Sequence, residues 1–345
     1  MLRWIILVSA AALAAIPAHA QEEPFGQETT EVRAWRNPPK PGSSHQHGAH
    51  RHGHSHAHGH DHAHGHGEKP HSQHEHGAQG HEHGVETEHL FGFTVGSDVD
   101  EPGVRHFIAE LDGRFTRRTG SYAAFSQRFE YASSPWRDFH VALGASFSGH
   151  DIAGVIGLDD RRQAAFEGFS LELRQRLLDR AQAPFGLTLV AEPHWKRADE
   201  TSGAQVDSFA TEFRIAADKE LIKDKLYGAL NLIYEPEWSR LKSAGDVERE
   251  STLGMSLAAM TALAPGMLAG GEVRYLRKYE GAALNTFTGE AIYLGPVLFI
   301  NVSHTVSLIA AYSTQIAGRA AGTSVNLDLD HFERHLAKLK AVAHF

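Results

Sequence analysis

From about residue 104 to the C-terminus, apolar and polar side chains alternate along the chain with a period of two. In SLELRQRL, Leu171 and Leu173 lie on one side while Glu172, Arg174 and Arg176 lie on the other. GLTLVAEPHW sets Leu187, Leu189, Ala191 and Trp195 against Thr188, Glu192 and His194; ATEFRIA sets Phe213 and Ile215 against Glu212 and Arg214; GEVRYLRKY sets Val273 and Tyr275 against Glu272 and Arg274. Segments of this kind are strands with one apolar and one charged face. About twelve occur, centred near residues 109, 127, 144, 172, 190, 211, 232, 257, 273, 294, 311 and 337, each about ten to thirteen residues long. No run in this region is apolar for long enough to make a membrane-spanning helix.

The connections alternate in length. After the even-numbered segments they are mostly tight (SSPWR, LDRAQAP, DKELIKDK, APG, SHT). After most odd-numbered ones they are long and polar (HDIAGVIGLDDRRQA, RADETSGAQ, SRLKSAGDVERE, YEGAALN, AGRAAGTSVNLD), with the short TRRTG as the exception. Tilted strands of about ten residues, short turns at one end, longer loops at the other and an even strand count are the rules of a transmembrane barrel. A soluble sandwich also alternates, but it must turn its apolar faces inward and its charges outward; the barrel inverts this. The expected fold is therefore all-β, an antiparallel up-and-down transmembrane barrel of about twelve strands over residues 104–345, with a disordered His-rich extension before it. Trp136, Trp195, Trp238, Tyr279 and Tyr312 fall near expected strand ends and suit interfacial girdles.

The last segment, LAKLKAVAHF, carries Leu339, Ala341, Ala343 and Phe345 on one face. In this it resembles the bacterial outer-membrane β-barrel superfamily, whose final strand commonly ends on an aromatic residue read by the barrel-assembly machinery. That resemblance implies an outer-membrane location and the assembly machinery as a partner through Phe345. A narrower resemblance rests on LFGFTVGSDVDEPG, GLDDRRQAAFEG, LRQRLLDRAQAPFGLTL, AEPHWKRADETSG and LNLIYEPEW, and covers roughly residues 90–345. These are similar to a group of proteobacterial outer-membrane proteins of unassigned activity, some with His-rich leaders; this supplies no active-site residues.

The N-terminal quarter is organised differently. MLRWIILVSAAALAAIPAHA has Arg3, an apolar run from Trp4 to Ile16 and Ala18-His19-Ala20, the layout of a signal peptide over 1–20 that is cleaved before Gln21. Residues 21–44, with NPPKPGSS, read as a disordered linker. Residues 45–89 are a low-complexity His/Gly/Ala tract. Residues 90–103 read as a thirteenth edge segment, a periplasmic collar or a stretch folded into the lumen; the whole segment before the barrel is too short and polar for the plug domain of an energised transporter. With 345 residues, a net charge of -9 and no basic stripe, the chain has no footprint for nucleic acid. The absence of cysteine excludes disulfides and thiolate metal sites.

The chemistry then rests on imidazole. In extended backbone, residues i and i+2 fall on one side about 6.5 Å apart, so a flexible His-x-His run wraps several rings around one ion. Candidate ligands are His45, His47, His50, His52, His54, His56, His58, His60, His62, His64, His66, His71, His74, His76, His81, His83 and His89. The expected cofactors are transition metal ions, Zn, Ni, Cu or Co, chosen mainly by intrinsic affinity order. If the apolar faces meet lipid, then Glu172, Arg174, Glu192, His194, Glu212, Arg214, Glu235, Glu272 and Arg274 line the lumen, either as a filling of ion pairs or as a path for ions. Glu192, Glu235, Glu237 and Glu290 are candidates for a cation-selective constriction, and His194 beside Glu192 is the most ligand-like pair in the barrel. A lipid hydrolase built on His140, Ser146 or Ser208 has no acidic partner or motif to support it, so no enzyme is expected. The function expected is an outer-membrane barrel of a Gram-negative bacterium whose periplasmic His-rich tail binds metal ions and passes or buffers them. The alternatives are a passive or structural barrel with incidental metal storage, and, third, the hydrolase.

Overall fold

In the computed structural model, which describes residues 85–345 apart from 244 and 246, the chain forms a closed barrel of twelve strands. The signal peptide, the linker and the tract from His45 to His83 lie outside the described residues. The strands are β1 (Arg105–Phe115), β2 (Ser121–Trp136), β3 (Phe139–Ala153), β4 (Arg161–Leu178), β5 (Gly186–Ala198), β6 (Gln205–Ile222), β7 (Leu226–Leu241), β8 (Val247–Ala264), β9 (Met267–Glu280), β10 (Thr286–Asn301), β11 (Val306–Ala320) and β12 (His335–His344). Each pairs antiparallel with its neighbours in sequence, and β1 closes the ring on β12 with Ile108 opposite Val342 and Glu110 opposite Lys340. Closure leaves no free edge, which is the condition for strands to stand in lipid without unsatisfied backbone groups.

Every expected segment centre falls inside a strand, but all strands except β1, β5 and β12 are longer than the alternation implied, reaching 18 residues in β4, β6 and β8. Pairing carries on where the apolar face has ended: His150 still faces Gln163 across β3 and β4, inside what read as a polar loop. Backbone N–H and C=O groups need partners whatever the side chains are, and the neighbouring strand supplies them. We call the end bearing the tight connections 137–138, 179–185, 223–225, 265–266 and 302–305 the turn end, and the other the loop end.

The two faces have the expected sense. Leu143, Phe169, Leu189, Ile215, Leu232, Met255, Leu257, Leu294 and Leu339 point outward and are exposed. In water such a band would forfeit about 1.5–3 kcal/mol per side chain relative to burial, whereas lipid accepts it. Trp136, exposed at the turn end, stacks on Phe139 at 4.6 Å, and Trp195, Phe209 and Trp238 form a row at the loop end. Tyr312 departs from the girdle pattern: it stands in mid-strand and bonds the His335 ring at 2.7 Å. The replacement Leu232→Arg, at the middle of β7 on the lipid face, is expected to lower folding free energy by about 2–4 kcal/mol, measured by reversible urea unfolding in bilayers.

Candidate functional site in the barrel lumen

Residues 85–104 do not pair as a strand but fold back into the turn-end half of the lumen. The apolar side chains of this stretch give the reason: Leu90 and Phe91 are buried in one cluster with Ile108, Tyr227, Ala229, Ala258, Met260, Leu268, Val297, Phe299, Ile309, Ala311 and Val342. These wall residues, from β1 and from β7 to β12, make the lumen apolar on one side. The short, mostly polar segment before the barrel thus fills the interior without being a plug domain, because its few large apolar residues meet a matching wall.

Away from strand partners, the segment's backbone is satisfied by wall side chains. The Glu272 carboxylate accepts the N–H groups of Gly92, Phe93 and Thr94 at 2.9, 2.9 and 3.0 Å. Asn231 pairs with Val95 in both directions, at 2.9 and 2.8 Å. Asp218 accepts the Ser97 N–H at 2.6 Å and also the Thr87 hydroxyl. Arg174 donates to the carbonyls of Gly96 and Asp98 at 2.8 and 3.3 Å, and the Thr188 hydroxyl donates to Ser97. Two glycines allow the close approach: a Cβ on Gly92 would lie 2.4 Å from that of Ala311, and one on Gly96 would lie 2.2 Å from the Thr87 carbonyl oxygen. The guanidinium of Arg274 covers the Phe93 ring at 3.9 Å.

All nine positions picked as lumen-lining face inward, where they serve two purposes. Glu272, Arg174 and Arg274 hold the lodged segment. Glu192 belongs to a charge girdle above it, in which Arg128 meets Glu192, Glu130 and Glu110 at 2.7, 2.9 and 3.1 Å. Lys338 and Lys340 also reach Glu110, at 2.7 and 3.1 Å. His194 lies 3.8 Å from Glu192, Arg214 pairs with Glu212, and Glu172 lies 3.9 Å from both Arg174 and His140. Glu235 faces the lumen opposite Thr252 of β8, and Glu237 accepts a hydrogen bond from Ser208. Glu290 departs from the constriction expected of it: unbroken alternation from the inward Ala291 and Tyr293 puts it on the outer face of β10 with Leu294, where it meets the Tyr275 hydroxyl at 2.7 Å and Arg277 at 3.5 Å. His140 and Ser146 lie six residues apart on β3, about 20 Å, so they do not form a nucleophile–base pair.

At the turn end a group of imidazoles and carboxylates, most of it outside the sequence picks, comes together. His89, the last of the tract histidines, places Nε2 3.4 Å from Nε2 of His106. His106 also touches Asp100 at 2.8 Å through Nδ1, and its ring stands 5.2 and 5.3 Å from those of His140 and His344. Glu88 lies 3.7 Å from His89, 3.6 Å from His140 and 3.5 Å from Arg174. Burial, reinforced by the neighbouring His106, holds His89 well below its usual pKa and therefore neutral. Burial opposes charge on Asp100, but contact with His106 and Glu86 overcomes it and keeps the carboxyl low. His106, His140 and His344 sit alone in ordinary strand sequence, so nothing in spacing marks them; only inward parity at strand ends links them.

Two outcomes test this arrangement. Glu272→Ala leaves three buried N–H groups without an acceptor, at about 1–3 kcal/mol each, so amide exchange at Gly92–Thr94 should accelerate by at least tenfold while the barrel stays folded. At the loop end, burial opposes charge on Glu333, yet Arg117, backed by Arg114 and Lys278, holds its carboxyl below the ordinary value. A depressed folded pKa gives stability that is complete above the unfolded value of about 4.3 and lost as pH falls below it. Hydrogen exchange in residues 326–334 should therefore rise below about pH 4, after correction for intrinsic rates.

Similarity to known proteins agrees with the fold. A crystal structure of an outer-membrane channel from Pseudomonas putida F1 superposes with a TM-score of 0.50 at 12% identity, covering 72% of this chain and 98% of that one. The NanC porin gives 0.41 at 11% identity, covering 68% of this chain and 98% of that one. These likenesses concern architecture alone. No curated protein sequence matches the chain. The model of a family of unknown function, DUF6662, matches residues 83–345, from the last tract histidines through the lodged segment to the end of β12, and the chain belongs to that family.

Proposed function

We propose that this outer-membrane barrel gathers transition-metal ions, Zn, Ni, Cu or Co, on its His-rich tail and buffers or passes them at the turn-end mouth, with that mouth and the tail on the periplasmic side. One observation carries the reading: His89, the last histidine of the tract, stands inside the barrel mouth against His106, whose ring in turn adjoins those of His140 and His344. The tract thus runs in sequence directly into a group of wall imidazoles. Orientation follows from the rule that short turns face the periplasm and long loops the exterior. Neutral imidazole is the ligand form, and cysteine-free chemistry suits borderline divalent ions. Because residues 85–104 fill the turn-end half of the lumen, ions cross only when that segment yields, which makes the path gated. A second reading, a structural barrel whose tail stores metal without transport, is favoured by the same lodged segment and by the girdle around Arg128.

Calorimetric titration of the full chain with Zn should show several ions per chain bound more tightly than about 0.1 mM, about −5.5 kcal/mol each. Most of them should disappear when every histidine from His45 to His83 is replaced by serine; an unchanged stoichiometry would sink the tail reading. In planar bilayers the wild type should conduct weakly and Glu272→Ala strongly. Equal, low conductance from both would favour the structural barrel.

A further inference from the structure

We propose that Glu88, His89 and His106 form an ordered binding site for a zinc-like divalent ion, distinct from the flexible tract, which fastens the lodged segment to the barrel wall. The idea extends the metal-handling reading and rests on it for the source of the ion; the site itself rests on geometry.

One ligand atom from each residue lies within 4.8 Å of the other two. The His89–His106 separation is 3.4 Å and the His89–Glu88 separation 3.7 Å. Zinc–nitrogen bonds of about 2.0–2.1 Å in a tetrahedron put ligand atoms about 3.3–3.4 Å apart, so little movement is needed to close on an ion. Three protein ligands leave a fourth position open, the arrangement of an exchanging site rather than a closed structural one. His140 adjoins it, with Nδ1 3.6 Å from the same Glu88 oxygen.

Three further observations point to a ligand. Glu88 is fully buried, yet among the described residues neither carboxylate oxygen has a hydrogen-bond partner, and Nδ1 of buried His140 has none either. A buried polar group without a partner is costly, and an ion would relieve it. Asp100 touches Nδ1 of His106 at 2.8 Å, which leaves Nε2 facing the site; a carboxylate behind a ligating imidazole is the usual way of fixing its tautomer and orientation. Arg174 is the competing cation, at 3.5 Å from Glu88, but its hydrogen bonds go to the carbonyls of Gly96 and Asp98. Glu88, Asp100 and Glu172 together outnumber it. Two ligands belong to the lodged segment and one to β1, so an ion held by all three joins segment to wall.

The test uses the full chain in detergent micelles with Zn as probe. In a background where the histidines from His45 to His83 are serine, one tight equivalent of Zn per chain should remain. Adding His106→Ala or Glu88→Gln should abolish it, with folding checked by heat-modifiable gel mobility. In the same background, free Zn at 100 times its Kd should slow segment-opening exchange of amides 86–100 by about 100-fold. This second readout needs no site variant and so survives a failure of either to fold. Absence of a tight equivalent in the serine background, or its survival in both site variants, or exchange indifferent to Zn, overturns the site. The tail reading fails separately, if wild type binds no more Zn than the serine background.

Discussion

A chain that enters a closed barrel has no strand left to pair with, and this constraint organises the lumen. The wall strands have spent their backbone groups on each other, so the amides and carbonyls of residues 87–99 fall to side chains: Glu272 for three successive N–H groups, Asn231 for both groups of Val95, Asp218 and Thr188 for Ser97, and Arg174 for Gly96 and Asp98. Leaving such groups unpaired in a dry interior costs about 1–3 kcal/mol each. The apolar contacts of Leu90 and Phe91 favour burial, but the polar side chains fix which residue meets which part of the wall. A barrel merely filled with ion pairs has no need of Asn231 or Thr188 at those positions.

Much of the fold was legible in the sequence because lipid imposes a simple rule. Each strand must be apolar on one side, and closure must leave no edge, so period-two alternation in LTLVAEPHW or EFRIA states strand, face and membrane at once. The inward positions of Glu172, Arg174, Glu272 and Arg274 follow from parity alone. Strand length did not follow, since His150 and Gln163 pair beyond the lipid band for backbone reasons that leave no side-chain pattern. The limit of parity shows in β11, where a bulge at Ile316 leaves odd-numbered Ser313 and Gln315 inward before it and even-numbered Ala320 inward after it.

The content of the lumen was less legible. Glu272 meets Gly92 across 180 residues of sequence, and no local pattern encodes such a partner. One signal was present. In PVLFIN and SLIAAY the apolar residues continue on both faces, so Val297, Phe299, Ile309 and Ala311 are inward and apolar in strands where the barrel rule asks for polar ones. A strand greasy on both sides in a barrel this size announces an apolar guest inside, and LFGF at residues 90–93 is the apolar stretch nearest the barrel's start. The wall histidines carried no such mark.

Electrostatic balance separates the two levels of the lumen. In the girdle, Glu110 has cations at 2.7, 3.1 and 3.1 Å, and Glu130 and Glu192 each meet Arg128 within 2.9 Å. These are direct, charge-assisted contacts, strong enough to offset the loss of water around each ion. At the turn-end mouth the spacing loosens: Arg174 stands 3.5 Å from Glu88 and 3.9 Å from Glu172 while its hydrogen bonds go to backbone carbonyls. One guanidinium there faces two carboxylates and satisfies neither. Imidazoles, rather than more lysines or arginines, adjoin them: His140 lies 3.6 Å from Glu88 and 3.9 Å from Glu172. Lysine or arginine would neutralise the excess permanently and exclude any other cation. Imidazoles leave the negative charge available and add nitrogen donors beside it, as the proposed site for an exchanging divalent ion requires.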